Sequence, residues 1–110
     1  EAKIQNDIIA RLRQLGWFIK VTHGNIYQSG MPDLFATHKH HGIRLIEVKN
    51  PESFSFTKAQ FKDFPDFFNF GCGIWILFGA DDQEINRLFQ PPNGLEIMLP
   101  MLLKRSIDVR

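Results

Sequence analysis

Gly30-Met31-Pro32-Asp33, a short turn, then Ile43-Arg44-Leu45-Ile46-Glu47-Val48-Lys49: this stretch decides the fold. It sets one carboxylate directly after a proline, a second inside an apolar run, and an ammonium two residues further on. Successive side chains of a β-strand point to opposite faces, so Glu47 and Lys49 share one face while Ile46 and Val48 take the other. If the strand that follows Asp33 pairs with the strand carrying Glu47, both carboxylates and the lysine converge at one edge of a small sheet. Carboxylates held together repel unless a positive charge lies between them. Oxygen ligands of this kind suit a hard divalent cation such as Mg²⁺, Mn²⁺ or Ca²⁺.

Upstream of that stretch, residues 2–15 read as an amphipathic helix, with Ile4, Ile8, Leu12 and Leu15 at helical spacing and Gly16 as its stop. Residues 17–22 have the β-branched and aromatic composition of a strand. His23-Gly24-Asn25 and Ser29-Gly30 are turn signals around Ile26-Tyr27-Gln28. The second strand covers residues 31–37, where a proline at the start costs no ladder donor. His38-Lys39-His40-His41-Gly42 reads as a polar hairpin loop whose histidines face solvent or phosphate rather than form a metal cage. The third strand, residues 43–50, is apolar on both faces and so central.

Downstream, Thr57 is placed to cap a helix starting at Lys58. Pro65 falls inside that pattern and predicts a kink or a break. Phe61, Phe64, Phe67, Phe68 and Phe70 form a stripe that belongs to a core, with any excess left for a dimer surface. Residues 73–78 read as a buried strand. A short helix over residues 83–90, capped by Asp81 or Asp82, follows and stops at Pro91-Pro92. Leu95 to Leu99 alternates enough to predict an edge strand or a packed tail. The expected architecture is a mixed sheet flanked by helices, in the order α-β-β-β-α-β-α.

A chain of 110 residues fits one domain, spanning 1–110. No apolar run approaches the roughly 18 to 20 residues of a membrane span, and no signal-peptide core is visible, so no membrane partner is expected. The single cysteine, Cys72, excludes an internal disulfide and a multi-cysteine zinc site. A cytoplasmic location follows. The net charge of +1 hides an asymmetry: residues 1–62 carry nine Lys/Arg against five Asp/Glu, and residues 63–110 carry four against seven. The basic first half suits a polyanionic partner.

Pro32-Asp33 followed by Glu47-Val48-Lys49 on the next strand resembles the PD-(D/E)XK signature of restriction-endonuclease-like nucleases, and the details are closest to the VRR-NUC branch. The likeness adds Gly30 before the Pro-Asp pair, a glutamate opening the first helix, and a glutamine in the helix after the lysine strand. The resemblance implies that Asp33 and Glu47 hold Mg²⁺ or Mn²⁺ with the backbone carbonyl of Val48, and that Lys49 orients and polarises the attacking water. It casts Glu1 as an outer metal or water ligand, and Gln60 as support for the lysine or a phosphate contact. Lys49 is the member that a structural Ca²⁺ site would not need.

The same resemblance, to stand-alone phage or bacterial members, implies a homodimer that cuts branched DNA such as four-way (Holliday) junctions, working in a bacterial or phage-infected cell without a small-molecule cofactor. A two-fold dimer would offer two active sites to a two-fold junction. With no zinc finger or helix-turn-helix in the sequence, contacts should go to phosphate and shape. Lys20, Lys39, Arg44, Lys58 and Lys62, with His38, His40 and His41, are the expected DNA surface. The alternatives are a DNA-binding module of the same fold without activity, a nicking or flap nuclease, and a protein-interaction domain built on the phenylalanine helix.

Overall fold

Apolar periodicity places most elements where the residues predict them. The structure, a computed structural model, describes residues 1–22 and 30–108, the side chains of the last three excepted. The turn readings at His23-Gly24-Asn25 and around Ile26-Tyr27-Gln28 lie outside the described residues. Helix α1 (Ala2–Gln14) buries Ile8, Ile9 and Leu12, while Leu15, the expected end of its apolar stripe, stays half exposed. Gly16, at φ +91°, ends it. Strands β1 (Phe18–Val21), β2 (Leu34–His38) and β3 (Gly42–Val48) follow. Gly42, at φ +80°, closes the tight β2–β3 turn, where the His41 amide donates to the His38 carbonyl at 3.2 Å. Helix α2 (Lys58–Asn69) then leads to β4 (Ile74–Leu77).

The sheet runs β1-β2-β3-β4, antiparallel through β3 and parallel between β3 and β4. One face packs against α1 and the short helix that carries Ile85 through Ile8, Leu12, Ile46, Leu77 and Ile85. The opposite face meets α2 and the last helix through Leu45, Phe56, Phe64, Ile76 and Met98. The result is a three-layer α/β/α sandwich, the mixed sheet flanked by helices that the sequence predicts. Among the described residues no helix is long and apolar enough to cross a membrane.

The second half departs from expectation at two elements, and at Pro65 it excludes the break and leaves the kink of the two alternatives. Helix α2 continues through Pro65, whose fixed φ is compatible with a helix although its missing N–H removes one hydrogen bond. The helix expected over residues 83–90 is shorter: α3 (Asp82–Asn86), capped by the Asp81 carboxylate, runs into a 3₁₀ turn at Arg87–Phe89. The expected edge strand at Leu95–Leu99 is instead the start of helix α4 (Gly94–Asp108). Leu95, Met98 and Leu102 also recur at helical spacing, and burial of Met98 against the sheet settles the ambiguous pattern.

Asn93 explains why no fifth strand forms there. Its side chain accepts from the Ile76 amide at 2.6 Å and donates to the Ile76 carbonyl at 3.0 Å, so it occupies the outer edge of β4 as a strand would. A Cβ on Gly94 would then lie 2.6 Å from the Ile74 carbonyl oxygen. Asn93→Ala leaves a buried backbone donor and acceptor unpaired and should lower the unfolding free energy by about 2–4 kcal/mol. Urea denaturation followed by circular dichroism measures this, and a loss under about 0.5 kcal/mol would show that water replaces the amide.

Candidate active site

The site is built by the register of β2 on β3. Leu34 faces Ile46, so the same ladder sets Asp33 opposite Glu47 and Pro32 opposite Val48. The two carboxylates therefore project from one sheet face at the open end of the ladder. The Val48 amide points toward β2, where it donates to Asp33 Oδ2 at 2.8 Å, whereas the next amide, Lys49, turns the other way to Leu77 at 3.1 Å. In a strand the N–H and C=O of one residue face the same neighbour, so the Val48 carbonyl also faces β2. Its ladder partner there is Pro32, which has no N–H to offer. The proline thus leaves a carbonyl beside two carboxylates, and its own carbonyl accepts from the Thr22 hydroxyl.

Lys49 is held from three sides although only 5% exposed. Its ammonium lies 2.9 Å from Glu47 Oε2, donates to Gln60 Oε1 at 3.1 Å, and sits 4.8 Å from the centre of the Phe56 ring. The Gln60 amide closes the circuit by donating to Glu47 Oε2 at 2.8 Å. Its orientation is fixed by a capping box: Gln60 Oε1 accepts from the Thr57 backbone N–H at 3.0 Å, and the Gln60 backbone N–H donates to the Thr57 hydroxyl at 3.1 Å. The N-terminus of α2 is in this way fastened to the lysine. Thr57 enters the sequence reading only as a helix cap and Phe56 only as loop. The Thr-x-x-Gln spacing is the signal that links the two functions.

Burial and charge work against the carboxylates. Glu47 is 2% exposed, and its Oε1 is a buried oxygen without a hydrogen-bond partner among the described residues. Loss of solvent, and after it the Asp33 charge, raise its pKa to about 7 against the opposing pull of Lys49 and Gln60. Burial likewise raises Asp33, against the Val48 amide and Lys49. An orphaned carboxylate oxygen beside a second carboxylate and an available carbonyl fits a hard divalent cation, which keeps water and phosphate in its remaining positions. Asp33, Glu47 and the Val48 carbonyl would hold it.

The raised pKa has a measurable consequence in chelator. A folded-state pKa above the unfolded value means that the protonated carboxyl stabilises the fold. That contribution is complete below pH 4.5 and is lost as pH rises through about 7. Metal-free protein should therefore lose up to about 3 kcal/mol from this group between pH 4.5 and pH 8. Added Mn²⁺ should shrink the loss. Thermal unfolding across pH, with and without Mn²⁺, reads both; a metal-free stability flat over that range would contradict the placement of Glu47.

Glu1 is exposed, close enough to Asp33 for its charge to be felt, and shares with Lys49, Asn50, Ser53, Ser55 and Thr57 a polar cavity of about 390 Å³. The structure thus brings Glu1 and Gln60 to the same end of the sheet as Asp33, Glu47 and Lys49. The expected DNA surface is more dispersed. Lys20, Lys58 and Lys62 are exposed, with Lys58 and Lys62 on α2. His38, Lys39, His40 and His41 lie at the far end of the β2–β3 hairpin, about 17 Å along the strand from Asp33. His38 and His41 pack on Trp17 and border a separate cavity of about 490 Å³. Partial desolvation by its neighbours first, and then the charges of His38, Arg44 and His40, lower the pKa of the exposed His41. Among the described residues no three His, Cys, Asp or Glu side chains gather into a metal-holding group, these histidines included.

Arg44 has a structural employment. Its guanidinium donates to the carbonyls of Leu88, His41 and Ile43 at 2.8–2.9 Å and stacks 4.8 Å from the Trp75 ring. It braces the hairpin against the 3₁₀ turn.

A mixed sheet between helical layers, with Pro32-Asp33 and Glu47-Val48-Lys49 at the open end of its central hairpin, is the restriction-endonuclease-like fold. Comparison with known proteins bears on this. No family model matches the sequence, and no curated protein matches it. A solved structure described as a VRR_NUC domain is similar in fold, with a TM-score of 0.64. The match covers 82% of this chain and 95% of that one at 22% identity. The chain has the fold of a VRR_NUC domain.

Proposed function

We propose that this domain is a Mg²⁺- or Mn²⁺-dependent DNA endonuclease that hydrolyses phosphodiester bonds. The observation that carries the reading is the buried Glu47 Oε1, unpartnered among the described residues, beside Asp33 and next to an ammonium held in place on three sides. A divalent ion bound there would screen charge on the scissile phosphate and lower the pKa of a water. Asp33 and Glu47 supply the negative charge that retains it. Lys49 presents a fixed positive charge to the attacking oxygen and favours its deprotonated form. Gln60, with Thr57 behind it, holds that ammonium against the Glu47 carboxylate. Glu1, on the rim, orders water in the polar cavity.

Four-way junctions and other branched DNA, cut by a homodimer, are the substrates favoured by this reading. The basic first half of the chain and the two-fold symmetry of a junction support it. Labelled linear, flapped and four-way DNA incubated with Mg²⁺, Mn²⁺ or chelator test it, with light scattering for mass. Metal-dependent cleavage of the junction by a dimer is expected. Uncut DNA in every lane, with binding demonstrated, would leave a DNA-binding module of this fold. A monomer that cuts only flaps or nicks would remove the two-site model.

A further inference from the structure

Among the described residues, none covers one half of the sheet on the face that carries the site. By the strand register, Phe18, Thr37 and Ile43 form one cross-strand row on that face, and Lys20, Phe35 and Leu45 form the next. Asp33 and Glu47 form the third. Helices α2 and α4 cover Leu45, Ile74 and Ile76 but leave the outer row open: Phe18 is 57% exposed and Ile43 56% exposed. A solvated antiparallel face ordinarily carries polar side chains, so two large apolar groups in one row are anomalous. Lys20 stands beside them, its ammonium 5.8 Å from the Phe18 ring centre.

We infer that this open half-sheet is a platform for the bases of an unpaired DNA strand that runs to the scissile phosphate. The inference rests on the endonuclease reading for its substrate and on the sheet for its geometry. Rows on one face are two residues apart, so Phe18 and Ile43 lie about 13 Å from the carboxylate pair. Nucleotides flanking a phosphate held at Asp33 and Glu47 must continue away from it, and the same sheet face continues directly into these rows. The chemistry of the rows selects which part of the nucleic acid meets them. A duplex presents its charged backbone outward, and binding it calls for several Lys or Arg. This face offers one lysine amid phenylalanine, isoleucine and threonine, which suits the π-faces of unstacked bases with a single phosphate contact. The substrate side of a branch point would then be single-stranded here.

The test measures binding in chelator, where cleavage plays no part. A fluorescent single strand and a blunt duplex of the same sequence are titrated with the wild type, Phe18→Ala, Ile43→Ala and Phe18→Trp. All three changes are at exposed positions, and circular dichroism checks their fold. Phe18→Ala should weaken single-strand binding about 5- to 100-fold, with a smaller loss for Ile43→Ala. Duplex binding should stay within twofold, and Phe18→Trp should restore or exceed the wild type. Failure of the wild type to bind the single strand, or equal losses on both DNAs, would overturn the inference. So would a dimer that Phe18→Ala converts to a monomer with loss of affinity in step, which would assign the face to a second copy of the chain. A protein that cuts no DNA but shows the expected single-strand losses would refute the endonuclease reading alone. A metal-dependent nuclease indifferent to Phe18→Ala would refute the platform alone.

Discussion

Lys49→Met is expected to slow cleavage by about 10²- to 10³-fold while leaving DNA affinity within a few-fold of the wild type. The methionine keeps the length and apolar stem of the lysine against Phe56 and removes only the ammonium. What is lost is therefore a charge fixed near the reacting phosphate, and the loss should fall on single-turnover rate rather than on KM. Stability gives a second readout. Deleting one partner of a buried ion pair ordinarily costs about 3–5 kcal/mol because the other charge is stranded. Glu47 has an alternative, since its pKa already stands at about 7 and rises further once Lys49 is gone. Lys49→Met should consequently be close to wild-type stability near pH 5.5 in chelator and clearly weaker near pH 8. Cleavage at the normal rate would show that Lys49 is only the structural counter-ion of Glu47.

How much of this was legible in the sequence depended on the range of the interaction. Asp33, Glu47 and Lys49 were readable because strand alternation is local and the two strands are joined by a tight hairpin, so pairing follows from a few residues. Thr57 as a cap was readable for the same reason. What the cap does was not, because the contact from Gln60 to Glu47 and Lys49 crosses from a helix to a strand and depends on how α2 seats on the sheet. Arg44 shows a partner that the sequence does not display. A cation on a strand near a basic loop reads as a DNA contact, and only the fold brings the Leu88 carbonyl and Trp75 to it. The segment after Asn93 failed for a different reason: five consecutive residues satisfy both periods, and the arbiter is Asn93 sealing the edge of β4, a contact 17 residues away in sequence. The Val48 carbonyl sits between these cases. Its availability follows from Pro32 in the pairing register, a local inference once the register is known.

Asp33→Asn should abolish metal binding and cleavage yet stabilise the metal-free protein. The asparagine keeps an oxygen for the Val48 amide, the hydrogen bond that now ends on Asp33 Oδ2 at 2.8 Å. Its amide group can turn a donor toward the carboxylate opposite, where Glu47 Oε1 has none. The repulsion that raises the Glu47 pKa also disappears. Together these changes should raise the unfolding free energy by about 1–2 kcal/mol at pH 8 in chelator, where both native carboxylates are most charged. Added Mn²⁺ should stabilise the wild type and leave Asp33→Asn unmoved, so the order of thermal midpoints should reverse as metal is titrated in. A site whose charges were arranged for stability would behave in the opposite way, losing stability with Asp33 whether or not metal is present. Calorimetric Mn²⁺ titration and thermal unfolding of both proteins distinguish the two. If Asp33→Asn is destabilised in chelator, the carboxylate pair is a structural element and the metal site lies elsewhere.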